Sequence, residues 1–246
     1  VPKEAKIGEK PPVRTKNETS LKSGLVLWGN LTCPYVQRVR IALVEKKIKY
    51  TFKIVDVVGE KSPEFVATYA RAVPCHFRRP CVPLLEICED SSSAKSNVVI
   101  PESSIILEYL EDCSLSEEKV PSLKPNDAVL KARCSLFVQL FLQEIKPLTY
   151  EILNAAKMSA LAAVVERGRR GCRMLDAQLQ LIQRTSSNGA SGGESKSDEL
   201  KERSVNGFAL GEFFSVVETT LAPHLQRLLF VAPKLRPELV NAIAKP

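Results

Sequence analysis

The run Leu25-Val26-Leu27-Trp28-Gly29-Asn30-Leu31-Thr32-Cys33-Pro34-Tyr35-Val36-Gln37-Arg38-Val39 decides the fold. Four consecutive apolar residues at 25–28 have the length and composition of a buried strand. Gly29-Asn30 breaks it. From Pro34 the period changes: Val36, Val39 and Leu43 fall at i, i+3 and i+7 and share one helical face, with Gln37, Arg38 and Glu45 off that face. This predicts a helix over 34–46. Cys33 is then the N-cap, and Pro34 is the first helical residue, where a missing N–H removes only a donor that has no intrahelical partner. The amides of Tyr35 and Val36 are expected to stay free, point back at the Cys33 sulfur and, with the helix dipole, favour a thiolate. A thiolate is the form that attacks a disulfide. Read alone, the tripeptide also fits a small buried residue at a turn. The residue three beyond Cys33 is Val36, so the helix carries no resolving thiol, and a mixed disulfide at Cys33 needs an outside thiol to release it.

Working outward, 50–58 is rich in aromatic and β-branched residues and reads as a second strand. Ser62-Pro63-Glu64 opens a short helix with Ser62 as N-cap. Residues 82–87 read as a third strand, 91–97 as a polar turn, 98–100 as a fourth strand and 103–111 as a helix. The order is βαβαββα, which places the domain at 24–112. Its first two strands, joined through a helix, are expected parallel, and its last two, joined by a turn, antiparallel. Residues 1–23, rich in Lys, Glu and Pro, read as a disordered leader. Residues 113–125 read as a linker.

The remainder, 126–246, reads as all-helical. Leu130, Cys134, Phe137 and Phe141 recur at helical spacing, and so do Leu161, Val165, Gly168, Cys172, Leu175, Leu179 and Ile182, the mark of one long amphipathic helix. A flexible insertion rich in Ser, Gly, Lys and Glu is expected near 185–203. A last helix begins at Ser215, which with Glu218 forms a capping box, and runs to about 230. Phe214 can staple only weakly against Thr219.

Composition excludes several classes. No stretch approaches the roughly 20 apolar residues of a membrane span, so no stable membrane insertion is expected. The net charge is +7, but the charges are mixed in sign along the chain and aromatic content is 6%, so nucleic acid is not the expected partner. One local excess stands out, Arg71 with Arg78 and Arg79. Seven cysteines, an odd number without a framework, argue against a disulfide scaffold and for a reducing, cytoplasmic compartment. Cys75, His76, Cys81 and Cys88 lack the CxxC spacing of a zinc site, so no metal is expected.

Two further constellations carry chemistry. Val82-Pro83, entering a strand opposite the thiol, suits a cis bond that leaves the Val82 backbone to pair with an extended peptide; by itself the dipeptide equally fits an ordinary edge-strand proline. Glu102-Ser103 stands at a helix start, where amides and an N-cap hydroxyl suit a carboxylate and Glu102 suits an ammonium; a plain helix cap is the other reading. Lys61 is either a partner for a further carboxylate or a solvated surface lysine.

Together, Cys33-Pro34-Tyr35, Gln37-Arg38-Val39, Val82-Pro83-Leu84-Leu85-Glu86 and Glu102-Ser103-Ser104, with Gly211–Glu218 and Leu221–Leu225 further on, resemble the cytosolic glutathione transferases. The Cys-Pro-Tyr form is similar to their cysteine-type omega and lambda classes and to dehydroascorbate reductases. The resemblance spans about 25–231 and implies an α/β N-terminal thioredoxin-like domain plus an all-α C-terminal helical domain. It implies glutathione as co-substrate and Cys33 as nucleophile, with Tyr35, Lys61, Val82, Pro83, Glu102 and Ser103 around the tripeptide. Val82 would hold the cysteinyl backbone beside a cis Pro83, Glu102 and Ser103 the γ-glutamyl end, and Lys61 the glycyl end. The activity implied is thiol transfer, by deglutathionylation or dehydroascorbate-type reduction. The acceptor would be a small electrophilic, disulfide or glutathionylated molecule in a hydrophobic pocket lined by the helical domain. Relatives occur as monomers and as homodimers. A non-catalytic binding module on the same fold is the alternative. The segment 69–80 is longer than the family norm.

Overall fold

The computed structural model describes residues 24–74, 78–88, 97–113, 120–154, 158–188, 208–211, 214–231 and 234. The expected leader at 1–23, most of the turn at 91–97 and most of the insertion near 185–203 lie outside these residues.

Strand β1 (Gly24–Gly29) pairs in parallel with β2 (Thr51–Ile54) and antiparallel with β3 (Leu84–Cys88), which pairs antiparallel with β4 (Val98–Pro101), giving the order β2-β1-β3-β4. Alternation along β1 sends Leu25 and Leu27 to one face and Val26 and Trp28 to the other. On the first face α1 (Pro34–Glu45) and α3 (Ser103–Asp112) pack through Val36, Val39, Leu43, Ile106 and Leu110. On the second, α2 (Pro63–Ala70) packs through Phe65 and Tyr69 against Trp28 and Leu84.

Two strands are shorter than the sequence suggests. β2 stops at Ile54 because Asp56 Oδ1 accepts from the amides of Val58 and Gly59, closing a turn that leaves the Val58 side chain 96% exposed. β3 starts at Leu84, after a cis Val82–Pro83 bond, since Pro83 has no N–H to give a ladder. Helix α2 opens as expected, with Ser62 Oγ accepting from the Phe65 amide at 3.3 Å. Helix α1 ends without a glycine. Lys47 takes φ 56°, and the amides of Lys47 and Ile48 close on the carbonyls of Val44 and Leu43, a Schellman arrangement that composition did not signal.

The linker is stitched to the sheet domain. Lys46 and Glu111 form an ion pair of 2.7 Å whose side chains are 3% and 10% exposed. Lys46 Nζ also donates to the Pro121 carbonyl, and Glu111 accepts from the Leu123 amide and the Ser122 hydroxyl. The Leu123 carbonyl in turn accepts from the Val216 amide.

The helical part comprises α4 (Ala128–Leu140), α5 (Lys146–Asn154), α6 (Met158–Asn188) and α7 (Val216–Gln226). A π-helical turn, Phe141–Ile145, joins α4 to α5. Pro147 lies just past it and cannot donate to the carbonyl four residues back, which accounts for the widened turn. The expected capping box is present: Ser215 Oγ accepts from the helix and Glu218 closes on the Ser215 amide at 2.9 Å. Phe214 packs edge-on to Phe208 rather than on Thr219, because an aromatic ring offers the larger apolar surface. Cys172, placed on the apolar seam of α6, is exposed, and Gly171 is buried in its stead, since a 3.6-residue helix drifts off a strict 3-4 repeat. Residues 185–188, assigned to the insertion, extend α6, with Thr185 Oγ1 bonded to the Leu181 carbonyl. Among the described residues no helix is long and apolar enough to cross a membrane.

Gly29 sets the spacing between β1 and α1. A Cβ there would lie 2.5 and 2.9 Å from the two Val36 methyls. Gly29→Ala is therefore expected to lower stability by about 1–3 kcal/mol, read as a drop in the urea midpoint; an unchanged midpoint would show that α1 is free to shift.

On the α2 face, Glu86 is buried. Burial works to raise its carboxyl pKa, but hydrogen bonds from Asn97, Trp28 and Arg71, with the Arg71 charge, hold it below the ordinary carboxylate value. A depressed carboxylate contributes stability that is present above its unfolded pKa and lost as pH falls through the folded one. Glu86→Gln should thus lower stability at pH 7 and flatten its decline below about pH 4.5. Thermal melts of both proteins from pH 7 to pH 3 measure this, and parallel curves would count against it.

Candidate active site

Asn30, read from the sequence only as a strand breaker, organises the loop that carries the thiol. Its Nδ2 donates to the Val55 carbonyl at 3.1 Å, and its Oδ1 accepts from the Thr32 amide and hydroxyl. Its own carbonyl accepts from the Cys33 amide at 3.1 Å, and Gln37 Nε2 holds the Leu31 carbonyl. Cys33 follows as the extended N-cap of α1 (φ −81°, ψ 121°), with Pro34 next. Its free thiol is half-buried against the core under α1. One expectation needs correction: the Val36 amide is not free for the sulfur, because it closes a tight turn onto the Cys33 carbonyl at 3.1 Å. The sulfur accepts no capping hydrogen bond.

Arg38 is a cation that acts electrostatically on the thiol. The periodicity placed this residue off the apolar face, yet it is only 5% exposed. It lies on the flank of α1 that meets α3, and its Nη2 donates to Ser103 Oγ at 2.5 Å. Burial lowers the Arg38 pKa, and the Tyr35, Glu102 and Cys33 groups, each able to carry negative charge, oppose that shift. One cation thus faces both the thiol and the start of α3. A charged residue buried on a helix flank leaves no periodic signal, which is why composition missed it.

At the start of α3 the N-cap is Glu102, with φ 70°, and Ser103 is the first helical residue rather than the cap. A left-handed glutamate is a strained backbone of the kind that collects at functional sites. Glu102 Oε1 pairs with Arg78 at 2.7 Å, so one member of the basic cluster seen in the sequence belongs to this rim, while Arg71 serves Glu86 on the other face. Val82, half-buried, precedes the buried Pro83 at the mouth of β3. Tyr35 turns toward the helical domain: its ring meets His224 of α7 edge-on at 5.4 Å. Lys61, half-buried after β2, acts on Asp56. The Asp56 carboxyl is held below its ordinary value first by the Gly59 and Val58 amides and also by the Lys61 charge. The structure therefore joins Cys33, Arg38, Ser103, Glu102 and Arg78 through direct or electrostatic contacts, and Tyr35 joins through Arg38. Among the described residues no bond ties Lys61 to that group.

Among the described residues no three His, Cys, Asp or Glu side chains are grouped to hold a metal. Cys75 and His76 lie outside them.

Residues 32–113, from the thiol loop to the end of α3, match the family model described as glutathione S-transferase, N-terminal domain. This segment is similar to a glutathione S-transferase N-terminal domain. No curated protein sequence matches the chain. Among solved structures, glutathione transferase Omega 3C from Trametes versicolor is 22% identical, with 90% of this chain and 80% of that one covered and a TM-score of 0.58. The Tau class glutathione S-transferase of mango, Mangifera indica, is 22% identical over 91% and 90% of the two chains, with a TM-score of 0.57. A rice transferase solved with glutathione is 18% identical over 90% and 85%, with a TM-score of 0.51. The likeness establishes the glutathione transferase fold, a thioredoxin-like domain followed by a helical one.

Thiol accessibility differs sharply within this fold. Cys134 is buried in the helical core, and burial followed by the Glu218 charge pushes its pKa to about 11. Brief native treatment with iodoacetamide at pH 7.5 should label Cys33 and the exposed Cys81 and Cys172 while sparing Cys134. Peptide mass mapping reads this, and a Cys33 as unreactive as Cys134 would remove it as a nucleophile.

Proposed function

We propose that the chain is a glutathione-dependent thiol transferase with Cys33 as its nucleophile. The observation that carries this reading is a half-exposed lone thiol at the N-cap of α1, beside the buried Arg38 guanidinium, on a segment similar to a glutathione S-transferase N-terminal domain. The Cys33 thiolate attacks the glutathionyl sulfur of a mixed disulfide. The Cys33–glutathione bond forms, the substrate's sulfur–sulfur bond breaks, and the substrate leaves as a thiolate that takes a proton from water. A glutathione thiolate then attacks the glutathionyl sulfur, releasing glutathione disulfide and the Cys33 thiolate. Dehydroascorbate is an alternative oxidant: the Cys33 thiolate adds to its carbonyl, a glutathione thiolate attacks the Cys33 sulfur so that the carbon–sulfur bond breaks and ascorbate leaves, and a second glutathione releases Cys33 and glutathione disulfide.

Glu102 and Ser103 supply the γ-glutamyl site in this scheme, Val82 pairs with the tripeptide backbone beside Pro83, and Lys61 reaches the glycyl carboxylate from its loop. Ser103 suits its part because its oxygen already accepts from Arg38, so its own proton is directed elsewhere, toward a carboxylate.

The reading of a binding module without turnover draws on one observation, the Arg78–Glu102 ion pair, which already engages the carboxylate that an incoming ammonium would need. Failure to bind immobilised glutathione, with the fold intact, would favour it. Under the proposal, the protein reduces a glutathione–cysteine mixed disulfide at the expense of glutathione. Cys33→Ala is expected to lower that rate by at least about 100-fold, followed by coupled glutathione disulfide release. Activity retained in Cys33→Ala would overturn the mechanism.

A further inference from the structure

We propose an anion-binding subsite beside Tyr35, formed by Arg38, Lys146 and Arg227 around His224, that takes the carboxylate of a negatively charged acceptor co-substrate. The assignment of its occupant rests on the function proposed above. The subsite itself rests on geometry.

Tyr35 stands two residues from Cys33, and its ring is surrounded by basic groups. The Arg38 guanidinium carbon lies 5.6 Å from the ring centroid, Lys146 Nζ lies 6.0 Å from it, and the His224 ring lies 5.4 Å away. Arg227 follows His224 by three residues, one turn along. The three chain segments that converge here are α1, the start of α5 after the π-helical turn, and α7. Phe141 is a further aromatic neighbour of His224, at 6.0 Å.

Among the described residues no carboxylate is ion-paired with these charges. Lys46, Lys53, Arg71, Arg78 and Arg167 all form ion pairs, whereas among the described residues Arg38, Lys146 and Arg227 form none. Glu102 faces Arg38 but is paired with Arg78. Two buried polar atoms at the centre have no hydrogen-bond partner, Arg38 Nε and His224 Nε2, on residues 5% and 2% exposed. His224 is neutral at pH 7, its pKa pressed down to about 4 by burial and then by Arg38, Lys146 and Arg227. Arg38 and Lys146 thus lie within about 6 Å of the ring next to the thiol, Arg227 acts on the same buried His224, and Arg38 and His224 each carry an unpaired buried nitrogen. Buried cations are ordinarily paired, and a cluster of one sign of charge attracts the opposite ion. Glutathione's γ-glutamyl end is assigned to α3, on the sheet-domain side, so this side is left to the acceptor.

The test compares Cys33 alkylation by iodoacetate, an anion, with that by iodoacetamide, its neutral analogue, each rate followed on the Cys33 peptide by mass spectrometry. Relative to free glutathione under the same conditions, the iodoacetate-to-iodoacetamide ratio is expected to be about tenfold higher and to fall with added salt. Lys146→Ala with Arg227→Ala should return it toward the free-thiol value, Lys146→Arg should preserve it, and the remote Lys49→Ala should leave it unchanged. A ratio equal to that of free glutathione, or one indifferent to the double variant, overturns the subsite. A second arm measures turnover of glutathione mixed disulfides with 3-mercaptopropionate and with 2-mercaptoethanol. A lower KM for the carboxylate acceptor, lost in the double variant, supports the occupant; turnover of both without preference overturns it. If neither is turned over while the alkylation ratio stays high, the thiol-transferase reading fails and the anion subsite stands.

Discussion

Arg38 is a guanidinium sealed between two helices of the same sheet face, and its burial constrains everything around the thiol. An arginine cannot shed its proton at neutral pH, so the fold must either answer the charge or exclude it. It answers with Ser103 Oγ, the face of Tyr35 and the nearby Glu102 and Cys33 groups. Each of these belongs to a piece of the site. The bond to Ser103 ties the helix that begins at the thiol to the helix that begins at Ser103, so neither can slide without stranding a buried cation. Stranding it would be strongly destabilising, because an unpaired buried charge keeps its full desolvation penalty.

The same logic extends across the domain boundary. Helix α1 touches the sheet through Val36, Val39 and Leu43, α3 through Arg38, and α7 through Tyr35. At its far end Lys46 holds Glu111 and the linker carbonyl of Pro121, and the linker's Leu123 carbonyl accepts a hydrogen bond from the first residue of α7. The helix that presents Cys33 is thus anchored at both ends, and the helical domain is fixed against it. The π-helical turn before Lys146 matters for the same reason: Pro147 forces a wider turn, and the widened turn sets where that lysine emerges relative to Tyr35.

Much of this was legible in the sequence, for identifiable physical reasons. Local signals are strong where a single residue type has one cheap role. Pro34 and Pro63 marked helix starts, Ser62 and Ser215 marked caps, and the apolar run 25–28 marked the central strand; all stand where expected. The sheet's mixed topology followed from connection lengths. What escaped depends on distant partners. Arg38 looked solvated because periodicity cannot see a serine 65 residues away. Asn30 looked like a breaker because its partner, Val55, sits 25 residues away, just past the end of β2. Strand ends were overrun where Asp56 and Pro83 stop the ladder by local bonding. The end of α1 carried no glycine to announce it. Glu102 and Ser103 were found but shifted by one helical position, within the ordinary uncertainty of a helix boundary. Of the residues that the family resemblance put around the tripeptide, Tyr35, Glu102 and Ser103 are linked through Arg38, whereas among the described residues no bond or charge interaction ties Lys61, Val82 or Pro83 to them.

The uncompensated charge beside the thiol also bears on the proposed cycle as a whole. Thiol–disulfide exchange passes through three sulfurs in line, with negative charge spread toward the outer two. One outer sulfur is Cys33, close to Arg38; the other belongs to the incoming or departing thiolate. Forming the Cys33–glutathione disulfide removes the negative charge that Cys33 offered the guanidinium. Arg38 is then less well answered than before, and restoring the Cys33 thiolate becomes the favourable direction for the protein's own electrostatics. Arg38, which forms no ion pair among the described residues, therefore biases the proposed cycle toward negative charge at Cys33. A permanent acidic partner at Arg38 would weaken that bias, because the guanidinium would be satisfied whether or not the sulfur carried charge.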